Sequence, residues 1–192
     1  MKLACAAGHI LIREFALEGV PVFDDQKRVD IPSTLTQTSI IQSDFGALMA
    51  NCMCHAGPKG IVAFAKSWLE KDRIPLGVTV LTTKDDEECY AEFGRNALEQ
   101  VMFYAGWAKE YGLPGVVCSP LESDHIKEVH DLLTVCPGIR PKYAEPNDQK
   151  RITEPREAKE RGVDAQVIGR PITDRQYGLP ADNLQRIYDE IC

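Results

Sequence analysis

The stretch Phe23-Asp24-Asp25-Gln26-Lys27-Arg28-Val29-Asp30-Ile31-Pro32-Ser33-Thr34 decides the reading of this chain. It follows a Gly-Val-Pro turn and a short apolar run, Val22-Phe23, and so reads as the end of a strand. Pro32 cannot donate a backbone hydrogen bond, and Ser33 and Thr34 suit the start of a helix. Residues two apart in a strand point the same way, so Asp25 and Lys27 share a face. Asp30 falls beyond the strand, on the loop. Two carboxylates and an ammonium therefore crowd the C-terminal mouth of one strand. Taken alone, such a cluster also reads as a solvated charged loop; the rest of the chain decides between the two.

Working outward, strands and helices alternate. Strands are expected near Lys2–Ala6, Val22–Asp25, Leu48–Cys54, Leu76–Leu81, Gly115–Ser119, Leu133–Cys136 and Ala165–Gly169. Helices are expected over Ile10–Leu17, Thr34–Phe45, Ile61–Leu69, Asp85–Tyr111 with a break near Gly94, Glu122–Leu132, Glu154–Arg161 and Ala181–Ile191. Gly57–Gly60 reads as a loop, and a long polar loop runs from Gly138 to Arg151. The run Leu48–Cys54 is almost continuously apolar, as a parallel strand buried on both faces would be.

This rhythm implies a parallel sheet with helical crossovers. An open doubly wound sheet and a (β/α)8 TIM barrel both satisfy it. Polar residues follow the strand ends throughout: Asp25, Lys27, His55, Thr82, Ser119, Pro137-Gly138 and Gly169-Arg170. A barrel gathers all its strand ends at one mouth, whereas an open sheet concentrates its site at one switch point. The absence of a G-x-G-x-x-G turn also counts against a dinucleotide fold. The expectation is a single barrel domain over residues 1–192. Seven strands are legible where eight are needed. The barrel is therefore expected to lack its first β-strand and helix, roughly 30 to 40 residues of a ~250-residue fold. Either the recorded start is late or the chain is a truncated relative.

Composition sets limits. The chain has 192 residues, 44% hydrophobic and 27% charged, enough for one substantial core. Its net charge of −7 without a basic stripe argues against a nucleic-acid partner. No apolar run approaches the ~20 residues of a membrane span. No convincing signal peptide precedes the first charges. Seven cysteines, with no C-x-x-C pair, point to a reducing compartment. Cys52-Met53-Cys54-His55 superficially resembles a metal cluster, but alternation sends His55 away from the two thiols, and buried thiols are the better reading.

A second anchor stands near the C-terminus. Cys136-Pro137-Gly138-Ile139-Arg140-Pro141 precedes Asn147-Asp148-Gln149-Lys150-Arg151 and Val167-Ile168-Gly169-Arg170-Pro171-Ile172. A glycine and an arginine at the end of the last strand suit a phosphate, through close backbone N–H groups and a bidentate fork. With the Asp25–Thr34 motif and Gly115-Val116-Val117-Cys118-Ser119, these stretches resemble, in order and spacing, the orotidine 5′-phosphate decarboxylase family.

The resemblance implies a (β/α)8 barrel, cytoplasmic and homodimeric, that uses no metal or organic cofactor. It implies conversion of orotidine 5′-monophosphate to uridine 5′-monophosphate and carbon dioxide, in pyrimidine synthesis. It implies catalytic roles for Asp25, Lys27, Asp30 and Lys2, with Asp30 reaching into the partner subunit's site beside Ile31 and Thr34. It implies substrate contacts from Ser119, Pro137, Gln149, Gly169 and Arg170. A Thr or Ser that holds the pyrimidine is also implied, and Thr82 and Thr83 both remain candidates. Two departures stand out: the missing first strand with its Asp, and Gln26, which lies where an apolar residue is usual and needs a hydrogen-bond partner on the helix side. A sugar-phosphate decarboxylase or aldolase of the same superfamily, and an inactive nucleotide-binding remnant, are the alternative readings.

Overall fold

A computed structural model describes residues 8–145 and 151–192. The fold is α/β, and the described residues form six strands in chain order in the sheet: β1 (Phe23–Arg28), β2 (Met49–Met53), β3 (Ile74–Val78), β4 (Gly115–Val117), β5 (Leu133–Cys136) and β6 (Ala165–Gln166). Helices separate them: α1 (Ile10–Leu17), α2 (Pro32–Ser43), α3 (Gly57–Leu69), α4 (Asp86–Phe93), α5 (Ala97–Glu110), α6 (Ser123–His130), α7 (Pro155–Glu160), α8 (Arg170–Thr173) and α9 (Pro180–Ile191). Lys2, Gln149 and the strand expected at Lys2–Ala6 lie outside the described residues.

The chain forms two compact units, one up to Thr79 together with Tyr104–Val116, the other Val80–Phe103 together with Val117–Cys192. In the first unit β1, β2 and β3 pair in parallel. The β2–β3 register is regular from Met49↔Ile74 to Met53↔Val78. Ala50, Asn51, Cys52 and Met53 are all buried, which explains the near-continuous apolar run. Helices α1, α2 and α3 cover β2, packing Ile12, Leu35, Phe64 and Trp68 on Ala47, Ala50 and Cys52. Gly77 on β3 permits the close approach of Cys54 and Leu113. A Cβ there would lie 2.7 Å from Cys54 Sγ and 3.0 Å from Leu113 Cδ1.

In the second unit β5 and β6 pair in parallel, Val135 opposite Ala165 and Cys136 opposite Gln166. Asp164 fixes the entry to β6: its carboxylate accepts from the Thr134 N–H at 2.8 Å and from Lys127 Nζ at 2.7 Å. The loop after β5 has a closed stem. Arg140 N–H donates to Thr153 O at 2.9 Å, and Thr153 N–H donates to Gly138 O at 3.2 Å.

Several boundaries differ from the sequence reading, each for a physical reason. Helix α2 starts two residues early because Pro32 occupies its first turn, where no N–H is needed. Gly57–Gly60 is no loop but the first turn of α3, with Pro58 again at the helix start. The break expected near Gly94 in the Asp85–Tyr111 helical segment is present and separates α4 from α5. Gly94 closes α4 in the left-handed region at φ 69°, and Asp85 opens it with a capping box to Glu88. Strand β3 ends at Val78, not Leu81, and β6 ends at Gln166, not Gly169. Gly169 and Arg170 instead begin the short α8, which the sequence reading did not contain.

Among the described residues no helix is long and apolar enough to cross a membrane. Cys52, Cys54, Cys89, Cys118 and Cys136 are buried free thiols. Burial pushes Cys52 up to about 12 and Cys54 well above the ordinary thiol range. His55 is exposed while Cys52 and Cys54 are buried.

Candidate active site

The centre of the first unit's polar cluster is the pair expected at the mouth of β1. Lys27 Nζ donates to both carboxylate oxygens of Asp25, each at 2.6 Å. The two side chains keep 38% and 34% of their surface exposed, so the pair is open to an incoming molecule. A bidentate ammonium–carboxylate contact of this kind fixes a positive charge in space, at a strand end, before anything binds.

The backbone under that pair is irregular. Asp24 lies opposite Ala50, but Arg28 lies opposite Cys52: four steps along β1 match two along β2. Lys27 sits within the slip with φ 50°, in the left-handed region that non-glycine residues avoid. Simple alternation therefore gave the right pairing of Asp25 with Lys27 for an incomplete reason. The strand bulges between Asp24 and Arg28, the span that holds both, and bulges re-aim side chains next to active sites.

Three partners hold the bulge, and the sequence reading identified none of them. Asn51, fully buried on β2, accepts from the Lys27 N–H at 2.7 Å and donates from Nδ2 to Asp25 Oδ1 at 2.6 Å. Arg28 folds back to Asp24 at 3.2 Å, a pair whose side chains are only 10% and 4% exposed. Burial lowers the Arg28 pKa, with Asp24 opposing that shift. Gln26, which required a partner on the helix side, has one: His9 Nε2 lies 2.7 Å from its amide nitrogen. Asn51 was legible as the one amide in an apolar strand. His9 was not, because nothing in the sequence ties it to Gln26.

Asp30 lies beyond the strand, as expected, and is exposed. Its carboxylate accepts from the Ile31 N–H at 2.7 Å, turning the chain into α2. Ile31 is 64% exposed beside it, and Thr34 is half-buried in the first turn of α2.

The second unit holds the remaining described candidates. Ser119 is fully buried after β4 and opens a short 3₁₀ turn, Pro120–Glu122. Its Oγ accepts from the Leu121 N–H at 3.3 Å, and its N–H donates to Glu122 Oε2 at 2.7 Å. This Ser-x-x-Glu capping box was readable in the sequence, but the role of Glu122 was not. Glu122 is 4% exposed and meets Arg151 Nη1 through its other oxygen. Burial pushes the Glu122 carboxyl up to about 7, against the pull of Arg151 and the Ser119 N–H. Arg151 Nη2 donates to the carbonyls of Val80 and Leu81 at 3.4 and 3.2 Å. The C-terminal end of the polar loop is thereby tied to two strand-end segments.

Thr82 is buried and Thr83 half-buried in the segment after β3. Pro137 is half-buried at the end of β5, and Gly138 follows in the left-handed region at φ 83°. Gly169 and Arg170 are exposed at the start of α8, and a Cβ on Gly169 would meet nothing within 4 Å. The space in front of that glycine is open. Lys2 and Gln149 are the two site candidates outside the described residues.

The comparisons with known proteins agree with one another. The model of the Orotidine 5′-phosphate decarboxylase / HUMPS family matches residues 1–187. The orotidine 5′-phosphate decarboxylase of Staphylococcus epidermidis is 38% identical, with 97% of this chain and 83% of that protein covered. That of Nitrosospira multiformis is 36% identical, with 99% of this chain and 80% of that protein covered. The crystal structure of orotidine 5′-phosphate decarboxylase from Lactobacillus acidophilus superposes with a TM-score of 0.80 at 29% identity, covering 96% of this chain and 81% of that one. The strand-end lysine and its carboxylate, the parallel α/β fold and these matches lead to one conclusion: the chain belongs to the orotidine 5′-phosphate decarboxylase / HUMPS family.

Proposed function

We propose that the protein decarboxylates orotidine 5′-monophosphate to uridine 5′-monophosphate and carbon dioxide, in pyrimidine synthesis. The observation that carries this reading is Lys27 Nζ held at 2.6 Å from both oxygens of Asp25 at the mouth of β1. The orotidine 5′-phosphate decarboxylases that match nearly the whole chain support it.

The chemistry follows from the substrate. Breaking the bond between C6 and its carboxyl carbon releases carbon dioxide and leaves the electron pair on C6. No adjacent group accepts that pair by simple resonance. Enzymes typically lower barriers by ~8–23 kcal/mol, and a localised carbanion asks for a large share. Electrostatic preorganisation is usually the largest single contribution. The Lys27 ammonium supplies a fixed positive charge where the negative charge develops, then gives its proton to C6 to form the C–H bond of the product. The resulting amine regains a proton from solvent. Asp25 keeps the ammonium in place at no further cost during the reaction.

The remaining assignments complete the proposal. Asp30 and Ile31, exposed at the start of α2, face a second copy of the chain in a homodimer, with Asp30 shared across the interface and Thr34 beside it. Ser119, Pro137 and either Thr82 or Thr83 contact the pyrimidine, and Gly169 and Arg170 the phosphate. Lys2 and Gln149 extend the charged array and the phosphate contacts. The fold is a (β/α)8 barrel, and the reaction runs in the cytoplasm without metal or organic cofactor. The test is direct: purified protein is mixed with orotidine 5′-monophosphate and the loss of substrate absorbance is followed, with and without excess chelator. Turnover in both supports the reading. Turnover abolished by the chelator contradicts the metal-free reading.

A further inference from the structure

We infer that Asn51 is a positioning residue for this reaction: its buried side-chain amide sets the backbone of Lys27 and the carboxylate of Asp25 at once. The inference rests on the reading of Lys27 and Asp25 given above, and goes beyond it in naming what imposes their geometry.

Asn51 is an unusual occupant of its strand. Its neighbours Ala50, Cys52 and Met53 are buried and apolar or weakly polar, and Asn51 itself has no exposed surface. A buried amide must be hydrogen-bonded to be tolerated, and an apolar side chain would remove that demand. Both hydrogen bonds recorded for its side chain go to the Asp25–Lys27 segment. One is from the Lys27 N–H, which the register slip takes out of the regular ladder. The other is to Asp25 Oδ1, the same oxygen that receives Lys27 Nζ.

The geometry explains why two bonds are needed. With a regular ladder, the pairing Asp24↔Ala50 would continue to place Arg28 opposite Cys54; in the structure Arg28 is opposite Cys52. Lys27 reaches that arrangement through φ 50°. Such a conformation persists only where its surroundings over-determine it. The Asn51 carbonyl oxygen gives the displaced N–H an acceptor it would otherwise lack, and the Asn51 NH₂ pins the carboxylate that the ammonium then grips. Without the amide, the strand can relax toward the regular register, moving the backbone that carries the ammonium. Misplacing a reacting group by ~1 Å can cost about 10²-fold in rate.

Two variants test this. Asn51→Leu is near-isosteric and apolar. Asn51→Asp keeps an acceptor for the Lys27 N–H but loses the donor to Asp25 and sets two carboxylates against each other. Both should lower kcat on orotidine 5′-monophosphate about 10- to 100-fold, the range expected for hydrogen bonds to charged groups and a misplaced reacting group. Affinity for uridine 5′-monophosphate, measured by calorimetry, should stay within about threefold, since the amide acts on the reacting pair and not on the nucleotide. In a crystal structure of Asn51→Leu, Lys27 should leave the left-handed region; in Asn51→Asp it should stay there.

A folded variant with unchanged kcat overturns the inference. So does a loss of kcat matched by an equal loss of nucleotide affinity, which marks general damage. If Asn51→Leu does not fold, Asn51→Asp decides by the same kinetic criteria. If the parent protein itself shows no turnover, the proposed function fails, and the positioning claim is judged on Asn51→Leu structure alone: a retained positive φ at Lys27 with an intact contact to Asp25 overturns it.

Discussion

Lys27 Nζ lies 2.6 Å from each carboxylate oxygen of Asp25, although the two residues sit on a strand whose register slips between Asp24 and Arg28. The close contact and the irregular backbone belong together. The bulge turns the lysine where its ammonium can meet both oxygens, and the price is a left-handed backbone at Lys27. Four predictions test the consequences.

The first concerns Asp30. It is exposed at the start of α2, next to the 64%-exposed Ile31. In a homodimer with a shared site, Asp30→Ala and Lys27→Ala subunits are each inactive alone. Mixed and re-associated, they form heterodimers in which one of the two sites holds both native groups. Activity of roughly a quarter of the parent level is expected for random re-association with one working site in each heterodimer. Heterodimers demonstrated by mass spectrometry that show no activity would exclude a shared site.

The second concerns Glu122. Burial pushes its carboxyl up to about 7, above the ordinary 4.5. A folded-state pKa raised above the unfolded value means that the folded protein binds the extra proton more readily. This contribution to stability is fully present below the unfolded pKa and is lost as pH rises through about 7. At most about 3 kcal/mol is involved, at 1.36 kcal/mol per unit. Urea midpoints of the parent and Glu122→Gln, compared from pH 4.5 to 8, check it. The parent should lose stability relative to the variant as pH rises through this window. At low pH the two proteins should have similar stability, because Glu122 is then protonated and neutral, as the glutamine amide is. Parallel pH profiles for the two proteins would refute the assignment.

The third concerns packing under the site. A Cβ on Gly77 would come within 2.7 Å of Cys54 Sγ and 3.0 Å of Leu113 Cδ1, both in the buried core. Gly77→Ala should therefore destabilise the protein by about 1–3 kcal/mol through overpacking. Gly77→Ala with Cys54→Ala should recover part of that loss, since it removes the nearer clash. Denaturant midpoints measure both. A single variant as stable as the parent would show that the core relaxes around the methyl group.

How much of this was legible depends on where local sequence decided the structure. Helix α1 has the predicted bounds Ile10–Leu17, and β5 has the predicted bounds Leu133–Cys136, because apolar spacing and flanking turn residues agree there. The alternation of strands and helices and the strand-end placement of Asp25 and Lys27 were likewise readable. What escaped was set by tertiary contacts. Asn51 became a partner of Lys27 only through a register slip between two strands. His9 reached Gln26 across 17 positions of chain. Arg151 met Glu122 across 29. Pro58 lay in an expected loop but opens a helix, as Pro32 does two residues ahead of the expected start, since a missing N–H costs nothing in the first turn.

The fourth prediction is the most direct test of the account. Lys27 is assigned both the charge that stabilises the C6 carbanion and the proton that quenches it, so Lys27→Ala should remove both. Single-turnover decarboxylation of orotidine 5′-monophosphate should fall by at least about 10⁴-fold, the upper range for losing a general acid, with the electrostatic loss added. Uridine 5′-monophosphate should still bind to the folded variant, measured by calorimetry on the same preparation. That combination, lost chemistry with retained product binding, is the predicted result. Decarboxylation by Lys27→Ala at near the parent rate would contradict the central claim.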